Sequence, residues 1–217
     1  MTTKEHPNGK IAEQSLPQDA TAPAQSVDES RRRFAKSGLA ASGVILTLAS
    51  QPVLGEWACQ SPSGFQSGNA SPHGQPPQCM GRTPGYWGNK PEDWPLPYKA
   101  GTCSGDATYC NHPENWTTAN ATKFKNGFNC SGQGSIYYKY TMFQVIWLGG
   151  GGDPYQLGAH IVAALLNAKM GWTPVLTEQA VKDMFNEWAA KGYYEPSAGV
   201  HWSGENIVTY LKTTMTL

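Results

Sequence analysis

Five cysteines, Cys59, Cys79, Cys103, Cys110 and Cys130, all fall in one Gly-, Pro- and Asn-rich stretch with little regular apolar period. A stretch of that kind lacks the ladder hydrogen bonds of helices and sheets, so cross-links would help it most to hold one conformation. Thiols pair outside the cytoplasm and stay reduced inside it, which makes the segment ahead of Cys59 the next question.

Residues 1–30 are rich in Pro, Gln, Ser, Thr and Ala and contain no Phe, Trp or Tyr. They cannot bury enough surface to offset the entropy of ordering, and read as a disordered polar leader. Residues 31–55 read as a signal segment. Ser30-Arg31-Arg32-Arg33-Phe34-Ala35-Lys36 is followed by a diluted apolar run, Gly38 to Ser50, which Gln51-Pro52 breaks. Those thirteen helical residues would cover roughly 20 Å, short of the ~30 Å hydrocarbon core, as expected of a signal rather than a span. The pattern resembles a twin-arginine signal, with Arg31, Arg32, Phe34 and Lys36 at its positions and Ala35 where Leu is commoner. Cleavage is expected after Val53-Leu54-Gly55, leaving 56–217 as a single mature domain. The expected localisation is therefore exported: periplasmic, cell-surface or extracellular, with the twin-arginine machinery as first partner. No stable membrane span is expected in the mature form.

Beyond Gly55 lie all eight Trp, all ten Tyr and all five Cys, with ten Lys/Arg against eleven Asp/Glu. A balance of about −1 gives no basic footprint, so nucleic acid is not an expected partner. Disulfide pairing is expected in this exported part. Cys59–Cys79 is favoured because it closes an otherwise structureless segment, with a second bridge among Cys103, Cys110 and Cys130. The remaining thiol would be buried or intermolecular. Zinc is the rival, but no CxxC pair exists and His112 has no matching second pair, so no metal site is expected.

The fold class expected is mainly α. Asp153-Pro154-Tyr155-Gln156 offers an N-cap, a Pro at N1 and a capping-box Gln, and Leu157, Ile161, Ala164, Leu165 and Ala168 follow at helical spacing up to Gly171. Thr177 opens a second helix, with Val181, Met184, Phe185 and Trp188 on one face and Gly192 after it. Ser203 opens a third, with Ile207, Val208 and Leu211 inward. A shorter helix over 142–148 ends at Gly149–Gly152, read as a flexible connector. The one alternating run that suggests a strand is Ile136–Tyr140. Residues 141–217 thus read as a small helical bundle, packed against a loop-rich, disulfide-stapled, aromatic-rich part over 56–140.

Asn89-Lys90-Pro91-Glu92-Asp93-Trp94 returns as Asn111-His112-Pro113-Glu114-Asn115-Trp116. Each copy suits a helical turn, with Pro at its start, acid in the first turn and Trp about one turn on. The expectation is that Trp94 and Trp116 face inward and pin two Pro-Glu turns. The stretch Cys79 to Pro95, with Thr83-Pro84-Gly85-Tyr86-Trp87 at its centre, resembles the TPGYWxNxPExW signature of a group of uncharacterised secreted bacterial proteins. Similar members share a twin-arginine leader, a Ser-Gly-Asn element (here Ser67-Gly68-Asn69) and a helix like Leu157–Ala168. The chain departs from that group at Gly88 and Lys90, where Lys and His are usual. The resemblance implies an address and a fold rather than an activity.

No nucleophile elbow, phosphate loop or HExxH spacing occurs, and no cofactor motif is evident. His160 reads as a packed or surface histidine. Candidate binding residues are Tyr86, Trp87, Glu92, Trp94, His112, Glu114 and Trp116, because rings beside carboxylates suit a saccharide cleft. The leading expectation is a non-enzymatic structural or surface-interaction domain whose partner is a cell-surface protein or polysaccharide. The alternative is a glycan-binding module or glycan-active enzyme built on the two turns.

Overall fold

The computed structural model describes residues 59–68, 77–110 and 112–216. The leader, Arg31, Arg32, Phe34, Lys36, Asn69, His73 and Asn111 lie outside the described residues. Within them the protein is mainly helical, with few and short strands and two disulfides.

In chain order the elements are α1 Pro62–Ser67, β1 Gly81–Arg82, α2 Pro84–Asn89, α3 Ala107–Cys110, α4 Met142–Ile146, α5 Gly149–Gly152, α6 Leu157–Lys169, α7 Glu178–Lys191, β2 Tyr194–Ser197, β3 Val200–Trp202, α8 Gly204–Thr213 and β4 Met215–Thr216. Four 3-10 turns lie over Pro91–Asp93, Pro113–Asn115, Phe124–Asn126 and Gly132–Tyr137. A fifth, Pro154–Gln156, leads into α6.

Helix α6 is the centre of the core. Every residue from Leu157 to Asn167 is buried, as a helix apolar all round requires. It packs against α4, α7, α8, α2 and β1. The expected caps are present on α7 and α8. Thr177 Oγ1 accepts the Ala180 amide at 3.1 Å, and Ser203 forms a capping box with Asn206. Val181, Met184, Phe185 and Trp188 of α7, and Ile207, Val208 and Leu211 of α8, are buried as their spacing predicts. Phe124, Phe128, Tyr137 and Phe185 form a ring cluster with centroids 4.6–5.6 Å apart.

Three local expectations are corrected. The start of α6 is not a simple N-cap with Pro and Gln. Tyr155 and Gln156 both adopt left-handed backbone (φ 61° and 59°), and regular helix begins only at Leu157. Asp153 still caps it, reaching across the kink to the amides of Gly158 and Ala159, each at 2.9 Å. Gly149–Gly152 is a helical turn rather than a connector, closed by the Asp153 amide on the Gly149 carbonyl at 2.8 Å. Residues 136–140 form no strand: Gly132–Tyr137 is a 3-10 turn that aims Tyr137 into the ring cluster. The antiparallel pair lies instead at β2 and β3, with Tyr194 opposite Trp202.

Both disulfides lie between residues 59 and 110. Cys59–Cys79 is formed, with Cα atoms 4.9 Å apart, and the second bridge is Cys103–Cys110. Cys130 is the remaining thiol, half-buried, and burial pushes its pKa up. Replacing Cys59 or Cys79 by serine is expected to cost about 2–5 kcal/mol, read as a lower denaturant midpoint. A non-reducing digest of protein purified without reductant should release the linked Cys59–Cys79 peptide. Finding both thiols free there would overturn the expectation.

Candidate binding face on the paired Pro-Glu turns

The first turn is prepared by α2. Thr83 caps it, its hydroxyl accepting the Tyr86 amide at 3.4 Å, and Pro84 opens it. Trp87 then points fully into the core. Its indole N–H donates to Asn167 Oδ1 at 3.0 Å, and its ring stacks on Trp172 at 5.5 Å. Asn167 also accepts the Arg82 amide at 2.8 Å and donates to the Arg82 carbonyl at 2.9 Å. One side chain of α6 therefore fixes β1 and Trp87 together. Gly81 has to be glycine in this arrangement, since a Cβ would lie 2.5 Å from the Thr214 carbonyl oxygen and 2.8 Å from Asn167 Nδ2.

Tyr86 stays half-buried. Its hydroxyl donates to Asp93 Oδ2 at 2.7 Å, a bond that pushes the phenol pKa up. Gly88 lies against Trp147, whose Cζ2 would be 2.7 Å from a Cβ there. Lys90 pairs with Glu92 at 3.5 Å. Trp94 is buried at 7% exposure, and its indole N–H donates back to the Trp87 carbonyl at 2.9 Å.

The second turn repeats this plan with a looser grip. Trp116 is half-buried, and its indole N–H donates to the Cys110 carbonyl at 2.7 Å. Trp94 and Trp116 both pack on Phe143 of α4, with centroids 6.2 and 4.4 Å away. The two turns thus clasp one ring, which accounts for the shared spacing. Their acids face outward: Glu92 is held by Lys90, and Glu114 lies 3.2 Å from His112 Nδ1. Trp87 and Trp94 are spent inside the core, whereas Glu92, His112 and Glu114 are exposed. The candidates are therefore divided between an interior set and a surface set.

Reading the sequence missed four side chains that organise this face. Phe143 is the shared anchor, and Asn167 is the polar pin. Tyr98 donates to Glu178 Oε2 at 2.5 Å, while Lys169 lies 3.3 Å from Glu178 Oε1, tying the loop to α6 and α7. Burial pushes the Glu178 carboxyl up, but these two hydrogen bonds outweigh it and hold it below the ordinary glutamate value. Tyr109, 51% exposed, stands between the turns in sequence and faces solvent. An apolar or acidic neighbour would have signalled the first and third; nothing in the local pattern signals Asn167.

Two open hollows flank the turns. One of about 450 Å³ includes Pro91, Trp94, Leu96 and Tyr98. The other, about 420 Å³, is lined by Asp106, Thr108, Tyr109, His112, Glu114 and Asn115. Away from both, His160 is buried, with Nδ1 2.8 Å from the Gln156 carbonyl, and burial pushes its pKa down. Among the described residues no group of three or more His, Cys, Asp or Glu is placed to hold a metal ion. No described helix is long and apolar enough to cross a membrane. The chain matches no family model, no curated protein and no solved structure.

Proposed function

We propose that this is an exported, extracytoplasmic domain that works by binding or assembly, delivered by a twin-arginine signal and belonging with the secreted TPGYWxNxPExW group. The observation that carries the reading is how the signature is used. Trp87 and Trp94 serve as interior anchors, and the residues left outside are small paired turns rather than a converging acid-base set. Two disulfides support an oxidising compartment. In this reading the helices beyond residue 141 form a small bundle, and the stapled, aromatic-rich part from 56 to 140 packs against it. Phe143, Asn167 and Glu178 are among the contacts between them. The partner is a cell-surface protein or polysaccharide.

Export is tested directly. With Arg31 and Arg32 both changed to Lys, the precursor is expected to accumulate in the cytoplasm, because the paired guanidinium groups are the recognition element. Normal export of that variant, abolished instead by blocking the general secretory route, would overturn the reading.

A further inference from the structure

We propose that the hollow beside the second Pro-Glu turn is a saccharide subsite, taking one uncharged or amino-bearing pyranose against the exposed ring of Tyr109. This deepens the reading of the protein as an exported binding domain by naming the chemistry of its partner.

Tyr109 is held still by groups that leave its ring outside. It lies in the loop closed by Cys103–Cys110. Asp106 Oδ1 accepts the Tyr109 amide at 2.8 Å, and Asn115 Nδ2 donates to the Tyr109 carbonyl at 2.8 Å. Trp116, seated on Phe143, holds the adjoining Cys110 carbonyl. A fixed ring loses little entropy when a ligand stacks on it, which is why immobilised tyrosines make effective contact faces. Around it stand Asp106, Thr108, His112, Glu114 and Asn115. These offer carboxylate, hydroxyl, imidazole and amide groups, a mixture suited to the alternating donors and acceptors of sugar hydroxyls.

Charge narrows the class. The lining carries two carboxylates and no Lys or Arg, so a uronate or sulfated sugar is repelled while a neutral or ammonium-bearing ring is not. The hollow at the first turn lacks the platform. Its aromatic side chains, Trp94 and Tyr98, are buried at 7% and 6% exposure. Both copies of the turn thus hold Phe143, and the second also carries the binding face.

The test is calorimetric titration of the purified mature protein with chitosan oligomers, cello-oligosaccharides and oligogalacturonate. Binding to chitosan or cello-oligomers is expected, with oligogalacturonate silent. Tyr109→Ala should weaken it roughly tenfold, the loss of one stacking face. Tyr109→Phe should retain binding, and Leu96→Ser, in the other hollow, should leave it unchanged. Tyr109 is exposed, so its variants should melt with the wild type. Absence of binding to all three probes, binding to oligogalacturonate alone, or binding indifferent to Tyr109→Ala each overturns the proposal. Export of the precursor is scored separately, so its failure would leave this result standing.

Discussion

Replacing Asp153 with alanine is expected to lower the unfolding free energy by about 3–5 kcal/mol, the scale expected when three buried neutral donors lose their shared acceptor. The carboxylate is fully buried, yet it accepts three hydrogen bonds: from the Tyr137 hydroxyl at 2.6 Å and from the Gly158 and Ala159 amides at 2.9 Å. Burial pushes the Asp153 pKa up, while these donors and the nearby His160 act against it. Alanine would strand all three donors without water, at about 1–3 kcal/mol for each group left unpaired. It would also remove the contact that offsets the left-handed backbone of Tyr155 and Gln156, which costs of order 1–3 kcal/mol per residue. Tyr137→Phe removes a single donor and should cost about 1 kcal/mol. Asp153→Asn should fall between them, since it keeps one acceptor oxygen but points an amide at existing donors. Urea unfolding followed by tryptophan fluorescence reads all three. An Asp153→Ala midpoint indistinguishable from wild type would show that the start of α6 is held by other contacts.

Asp153 also marks where the sequence stops being legible. Thr177 and Ser203 announce α7 and α8 because capping is local: a hydroxyl, three residues, an amide. The buried faces of both helices follow from spacing alone. Asp153 looked like a similar cap, but the left-handed pair after it is carried by Tyr and Gln, neither of which advertises that conformation as Gly or Asn would. The geometry is imposed from outside, by Tyr137 and the packed core. The β2–β3 hairpin was hidden for a related reason. Its first strand contains Pro196 and an irregular register, so it shows no clean alternation. Conversely, the alternation at 136–140 came from aromatic residues that a 3-10 turn distributes between the ring cluster and solvent.

For the candidate site, the repeat itself was readable and its division of labour was not. The spacing placed a Trp one turn beyond each Pro, and both indoles do fold back on the chain. Which copy would be sunk in the core depends on Phe143, Trp87 and Asn167, all distant in sequence from at least one turn. The Cys59–Cys79 bridge was legible because the sequence between the two cysteines shows no apolar period, although Pro62–Ser67 within it folds as α1. The choice of Cys110 over Cys130 as partner of Cys103 was not, since three cysteines in loops leave every pairing open.

The second large effect is expected at Trp87. Trp87→Ala should cost about 3–5 kcal/mol, because a fully buried indole leaves a cavity that its rigid neighbours, Trp172 and α6, cannot close. That is a large share of the ~5–15 kcal/mol available to a typical domain. Asn167→Ala attacks the same place from the other side. It removes the partner of the part-buried Arg82 amide and carbonyl and strands the buried Trp87 indole N–H, the last worth about 1–3 kcal/mol when unpaired. The two residues touch, so their losses should not add: the double variant is expected to fall short of the sum by about 0.5–3 kcal/mol. A double-mutant cycle in urea measures that shortfall, with Trp94→Ala as the comparison. Trp94 is buried nearby and donates to the Trp87 carbonyl rather than to Asn167, so its coupling to Asn167 should be smaller. Strict additivity of Trp87→Ala and Asn167→Ala would mean that α6 does not hold the Trp87 segment through this side chain. The repeated spacing of the first turn would then need an explanation at the surface instead of in the core.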